Sequence, residues 1–256
     1  MKTSNNKYKI LVLSDLKNNV NNTLKSTLSL AKMVDGDIQF FHVKGASDIV
    51  GTENQLSAMR TINKEYITTE NKIKKEVKSF SSDYDANIKY AFSFGSVKEE
   101  IGKYINEYQP DIVVLGKRKK TSLSFIGDHI TQFVMKKHKG AVMIASDDHI
   151  LEPDQAISLG LLDGTDTALN VDFADNLIQN AQRPLKSFKV VKNSDQLEKN
   201  PTPANQDIVE YVFEESDNVI KNLSNYLSKN NVNLLCVNRE NDYAINKLDV
   251  SLLVAN

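Results

Sequence analysis

Asp111-Ile-Val-Val-Leu-Gly116 is a short apolar run closed by a glycine, and the basic stretch Lys117-Arg-Lys-Lys120 separates it from Gly127-Asp128-His129. An apolar run bounded in this way reads as a buried strand. A glycine directly after a buried strand lets backbone approach a phosphate, and a glycine-led helix start offers unpaired N–H groups to an anion. This is where the chain is expected to meet a ligand. Lys119 and Asp128, however, stand where a phosphate cradle has small residues.

The run is the fourth strand of an alternating series. Tyr8-Lys-Ile-Leu-Val-Leu13 reads as a buried strand ending at Ser14-Asp15, and Val20, Leu24, Leu28 and Ala31 follow at helical spacing up to Gly36. Ile38-Gln-Phe-Phe-His-Val43 is the second strand. Strand, helix and strand with short connections make a parallel pair through a right-handed crossover. A long helix is expected from about Thr52 to Ser82. Met59, Tyr66, Ile73 and Phe80 form its seam, and Leu56, Ile62 and Val77 widen it. That stripe serves either packing on its own sheet or a partner helix. After a third strand, Ile88 to Phe92, Ser96 and Glu99 match a capping box for a helix that stops at Pro110. A helix from about Asp128 to Lys137 and a strand from Ala141 to Ala145 complete the unit.

The pattern then begins again. Ile157-Ser-Leu-Gly-Leu-Leu162 ends at Asp163 much as the first strand ends at Asp15, and Asn233, near the start of the strand Val232 to Val237, matches Asp111. The linker Asn193 to Asn205 is too short and too rich in proline to replace the long second helix. Between that strand and the last one, Val250 to Val254, there is no glycine loop. The expectation is two tandem, doubly wound parallel-sheet α/β domains, residues 1–150 and a reduced 151–256. The two terminal strands would otherwise be apolar edges, and pairing them removes that liability. An intramolecular pseudo-dimer follows, with further homodimerisation left open.

Composition narrows the function classes. The 256 residues carry a net charge of -1 from 32 basic and 33 acidic side chains, so no polyelectrolyte partner follows from the total. The two basic clusters, Lys117 to Lys120 and Lys136 to Lys139, lack interleaved aromatics, and no nucleic-acid partner is expected. A single cysteine, Cys236 in an apolar run, excludes an internal disulfide and favours a reducing compartment. There is no secretory h-region and no run near the roughly 20 apolar residues of a membrane span, so a cytoplasmic protein is expected. Neither a nucleophile elbow nor a Walker lysine motif occurs, and the histidines and cysteine never cluster at metal-ligand spacing. No enzyme is expected, beyond slow hydrolysis of a bound nucleotide.

The order of elements, the acid after the first strand and the segment from Asp111 through Gly116 to Gly127 resemble the universal stress protein family in tandem, UspA-like form. The resemblance implies an adenine nucleotide alpha hydrolase-like fold, with ATP or another adenine nucleotide as regulatory ligand and magnesium with it. It implies that Asp15 faces the ribose and that Val43 lines the adenine pocket. It also implies that Gly116, directly after Leu115, and Gly127 approach the phosphates. Nucleotide-binding members carry glycine, two residues, glycine, nine residues, then glycine and serine or threonine. Here Lys119 replaces the second glycine, seven residues intervene, and Asp128 follows Gly127.

Each site residue also has a plain structural reading. Asp128 fits a helix N-cap, where it would fill the anion hole itself. A carboxylate about 4 Å from a phosphate would cost up to roughly 4 kcal/mol at an effective dielectric near 20, which Lys117 to Lys120 offset if they turn inward. Asp15 either meets a ligand or holds the first turn of the next helix. His42 reads as a packed core histidine, and His129 as a candidate for anion contact. The reading that follows is a stress-response protein whose first domain binds an adenine nucleotide. The alternative is a scaffold without nucleotide, acting through an unknown protein partner.

Overall fold

The computed structural model describes residues 7–17, 20–45, 55–117, 125–163, 171–192, 207–241, 245 and 247–255, with backbone alone at 55–58 and 125–128. The elements run β1 (Tyr8–Ser14), α1 (Val20–Val34), β2 (Gly36–Gly45), α2 (Gln55–Tyr84), β3 (Ile88–Gly95), α3 (Val97–Tyr108), β4 (Ile112–Gly116), α4 (Phe125–Lys137) and β5 (Ala141–Ala145). The second half follows with β6 (Leu159–Leu162), α5 (Ala174–Gln179), β7 (Leu185–Val191), β8 (Ile208–Glu214), α6 (Val219–Lys229), β9 (Leu234–Asn238) and β10 (Ser251–Ala255). Buried strands on both faces explain the continuous apolar runs of β1, β4, β5 and β10.

All ten strands form one sheet in the order β3-β2-β1-β4-β5-β10-β9-β6-β7-β8. Every pairing is parallel except β5 with β10 at the centre, where Met143 faces Leu253 antiparallel. The expected pairing of the two terminal strands is therefore present. The second half retraces the first in reverse order across this seam. Lys9 N–H donates to the Asp111 carboxylate at 2.7 Å, and Ser158 N–H donates to Asn233 Oδ1 at 2.9 Å. The same hook thus ties the start of the first strand of each half to the residue before the fourth.

The register corrects one sequence expectation. Val12 pairs with Val114 and Leu161 with Cys236, while Val114 and Cys236 pair in turn with the facing residues Met143 and Leu253. Leu161 therefore stands at the position of Val12, and Asp163 at that of Ser14. The match of Asp163 to Asp15 is one residue out. In a strand such a slip moves a side chain to the opposite face, and the faces confirm the shift. Leu13 and Leu162 lie in one core, Val12 and Leu161 in the other.

Both cores run through the seam into both halves. Helix α1 is buried from Thr23 to Val34 except at Lys25 and Lys32, because residues 146–157 and α5 cover its outer side. Lys25 meets Glu152 at 3.1 Å, Lys32 meets Asp154 at 2.9 Å, and Leu151 N–H donates to the Ser26 hydroxyl at 3.1 Å. Small hydroxyl residues on that face of α1 allow the close approach.

Three further expectations change. The stripe of α2 is buried at Ile73, Val77 and Phe80 but exposed at Met59, Ile62 and Tyr66. A 30-residue helix spans about 45 Å, whereas the eight residues of β3 span about 26 Å, so the helix outruns the strand at Met59 and Ile62, while Tyr66, though exposed, still lays its ring against Phe92 and Phe94 of β3. Ser96 is the N-cap of α3 but makes no side-chain cap bond. Glu100, not Glu99, accepts from the Ser93 hydroxyl at 2.5 Å and from Lys103 at 2.7 Å. The first helix of the second half, which the spacing of Val171, Ala174, Leu177, Ile178 and Ala181 carries up to Pro184, is confined to Ala174–Gln179. The connection from β7 to β8 is residues 192–207, against 46–87 between β2 and β3, and the linker Asn193 to Asn205 lies outside the described residues.

Candidate functional site

Strand order reverses between β1 and β4: β2 and β3 lie beyond β1 on one side, β5 beyond β4 on the other. A crevice opens at the carboxyl ends of such strands, where the two crossovers leave to opposite faces. Asp15 directly follows β1, Gly116 ends β4 and Val43 lies near the end of β2, so three adjacent strand ends bring these residues to one rim. Leu115 is buried below them between Leu13 and Ile144. Val43 is half-buried and packs against the core that holds Phe41 and Leu115.

Asp15 is half-buried, and its Oδ1 accepts the Lys17 N–H at 3.0 Å. The turn it closes places Leu16 at φ 58, a left-handed conformation, with the Ser14 hydroxyl accepting the Leu16 N–H at 3.2 Å. Two neighbours hold the turn from outside. Lys72 of α2 donates to the Leu16 carbonyl at 2.6 Å, and His42 of β2 places Nδ1 2.8 Å from the Ser14 carbonyl. Facing a carbonyl, that nitrogen carries the proton. Burial holds the His42 imidazole below its ordinary pKa, so it stays neutral as a packed histidine. The structural role of Asp15 is thus occupied, at a place open to the rim.

Gly116 has a packing reason of its own. A Cβ there would lie 2.7 Å from the Thr23 Oγ1 of α1. Thr23 is buried, and its approach to Gly116 is not visible in the sequence. Gly116→Ala is expected to lower stability by about 1–3 kcal/mol without any ligand, and Thr23→Ala added to it should restore much of the loss. Urea midpoints of the single and double variants decide the matter: equal midpoints would show that Thr23 is not the obstacle.

The anion loop departs from the expectation. Helix α4 begins at Phe125, so Gly127 and Asp128 lie inside its first turn and not at its start. Asp128 is therefore not the N-cap. Ile126, Ile130, Phe133 and Val134 already share helical spacing, and that repeat signals the earlier start. His129 is exposed on the same turn. Arg118, Lys119 and Lys120 lie outside the described residues. Lys117 turns toward the second half, where Nζ donates to the Leu248 carbonyl and lies 3.5 Å from Asp249 Oδ1.

The equivalent crevice of the second half is bridged by its own side chains. Asp163 accepts the Val190 N–H at 3.3 Å and the Asn241 amide at 2.8 Å, spanning from β6 to the residues after β9. Cys236 is fully buried and its thiol is pushed up by burial, so it is inert. Among the described residues no group of three or more histidine, cysteine or acidic side chains is placed to hold a metal ion. No helix among them is long and apolar enough to cross a membrane.

Residues 8–145 match the Universal stress protein family in sequence. The chain belongs to that family. In fold, a universal stress protein from Archaeoglobus fulgidus DSM 4304 aligns over 97% of this chain and 96% of its own, with 13% identity and a TM-score of 0.68. A functionally unknown protein from Pseudomonas aeruginosa PAO1 aligns over 97% and 92%, with 9% identity and a TM-score of 0.58. These likenesses extend the universal stress fold to both halves. A universal stress protein crystallised in complex with cAMP covers 54% of this chain and 96% of its own, at 11% identity and a TM-score of 0.39. No curated protein matches the chain in sequence.

Proposed function

We propose that the first half of this universal stress protein binds an adenine nucleotide, ATP or ADP with magnesium, as a regulatory ligand. One observation carries the reading: Asp15, Val43 and Gly116 meet on three adjacent strand ends at the point where strand order reverses. A carboxylate there accepts from ribose hydroxyls, and the apolar wall of Val43 suits a base. The protein acts without chemistry of its own, at most hydrolysing bound ATP slowly. It works in the cytoplasm as an intramolecular pseudo-dimer whose second half carries no ligand. A second reading, an interaction module for a protein partner, rests on Met59, Ile62 and Ile67, exposed in the first half of α2.

Native mass spectrometry of protein purified without added nucleotide should find an adenine nucleotide on the chain, and calorimetry with ATP and magnesium should register heat. Asp15→Asn keeps an acceptor for the turn and removes the charge. It is expected to weaken binding about tenfold, the loss of one charged hydrogen bond. Protein that carries no nucleotide and gives no heat with ATP would end this reading and leave the second.

A further inference from the structure

We propose that the second half positions the pieces flanking the candidate nucleotide site, with Lys117, Arg239 and Asp249 as positioning residues. The inference deepens the nucleotide reading and, for the ligand itself, rests on it. By the sheet registers, Arg239 after β9 is the counterpart of Lys117 after β4. Their backbones do the same thing: Lys117 N–H donates to the Ala145 carbonyl at 2.7 Å, and Arg239 N–H donates to the Ala255 carbonyl at 2.9 Å. Their side chains then cross the seam in opposite directions.

Lys117 reaches the Leu248 carbonyl and Asp249, just before β10. Arg239 reaches the Met135 carbonyl at 2.5 Å and the Gly140 carbonyl, at the end of α4 and just before β5. Each cation therefore grips carbonyls that precede the other half's terminal strand. Met135 lies in the last turn of α4, where carbonyls lack helical partners and the dipole favours a cation. The Nε of Arg239 is buried with no acceptor among the described residues, while its terminal nitrogens make this grip.

The consequence falls on the site. Gly116 and α4 are the two described pieces that flank the anion position, and the second half holds the residue after Gly116 and the last turn of α4. The Lys117 side chain is 22% exposed while Asp249 is 72% exposed, so the ion pair alone is weak and the carbonyl of buried Leu248 anchors the contact. A ligand that draws Lys117 toward a phosphate pulls against the second half, and the coupling is reciprocal.

Hydrogen exchange of the full chain, read by mass spectrometry, tests this without any ligand. Arg239→Gln should speed exchange in Phe125–Lys137 by about fivefold, while peptides of β1, β2 and β3 keep wild-type rates. Arg239→Lys, which retains one cationic donor group, should fall between. Unchanged exchange in α4, or equal acceleration of all peptides in both variants, would overturn the proposal. A second arm adds ATP and magnesium. If the wild type binds, Arg239→Gln and Asp249→Asn should each change the affinity by about threefold or more, and unchanged affinity in both would overturn the coupling. A wild type that binds no nucleotide would end the reading of the ligand, while the exchange arm still decides whether the second half holds α4.

Discussion

Leu253→Asp is expected to unfold the protein or to lower its urea midpoint more than a substitution in either outer half of the sheet. Leu253 is fully buried on β10, faces the fully buried Met143 across the antiparallel seam, and is flanked on β9 by the buried Cys236. Among the described residues no lysine or arginine is buried to answer a carboxyl group there. Losing the leucine side chain and burying an unpaired acid together cost about 5 kcal/mol or more, against the roughly 5–15 kcal/mol that keeps a domain folded. Leu253→Met conserves volume and should cost less than about 1.5 kcal/mol. Circular dichroism through a urea titration checks both. Similar midpoints for the two variants would mean that the seam is not the shared core described above.

Phe188→Ala is expected to cost about 3–5 kcal/mol, the range for removing a fully buried phenylalanine. The site cannot collapse easily. Phe188 stacks on Tyr211 with ring centroids 5.5 Å apart and meets Tyr226 edge-on at 6.3 Å. Gly160 sits against it so closely that a Cβ there would lie 2.9 Å from the Phe188 ring. Tyr211, Phe213 and Tyr226 pack with Phe188 on that face of the second half. Phe188→Leu should recover a good part of the loss. An alanine variant with the wild-type urea midpoint would place the core of the second half elsewhere.

The alternation of apolar runs and helical stripes was enough to read the parallel sheet, because buried parallel strands leave continuous apolar runs that short connections tie into crossovers. Pairing of the terminal strands was legible from the liability of two apolar edges. Register was not: Asp163 looked like the partner of Asp15, and only the pairing of Leu161 with Cys236 shows it to stand at Ser14. Linear spacing cannot reveal a one-residue slip between halves of different length. Asp15, Val43 and Gly116 could be placed at neighbouring strand ends because strand ends are local features. Thr23, Lys72 and Arg239 were missed because their roles depend on approach across helices and across the seam. Arg239 left one signal, a basic residue directly after the fourth strand in each half.

The antiparallel join of β5 to β10 also fixes a direction. Each half points the carboxyl ends of its parallel strands one way, and the join turns the second set against the first. The Asp15 rim and the Asp163 rim therefore open on opposite borders of the molecule. No single small ligand bridges them as a clamshell would, and whatever occupies one rim communicates with the other only lengthwise, through the shared ribbon.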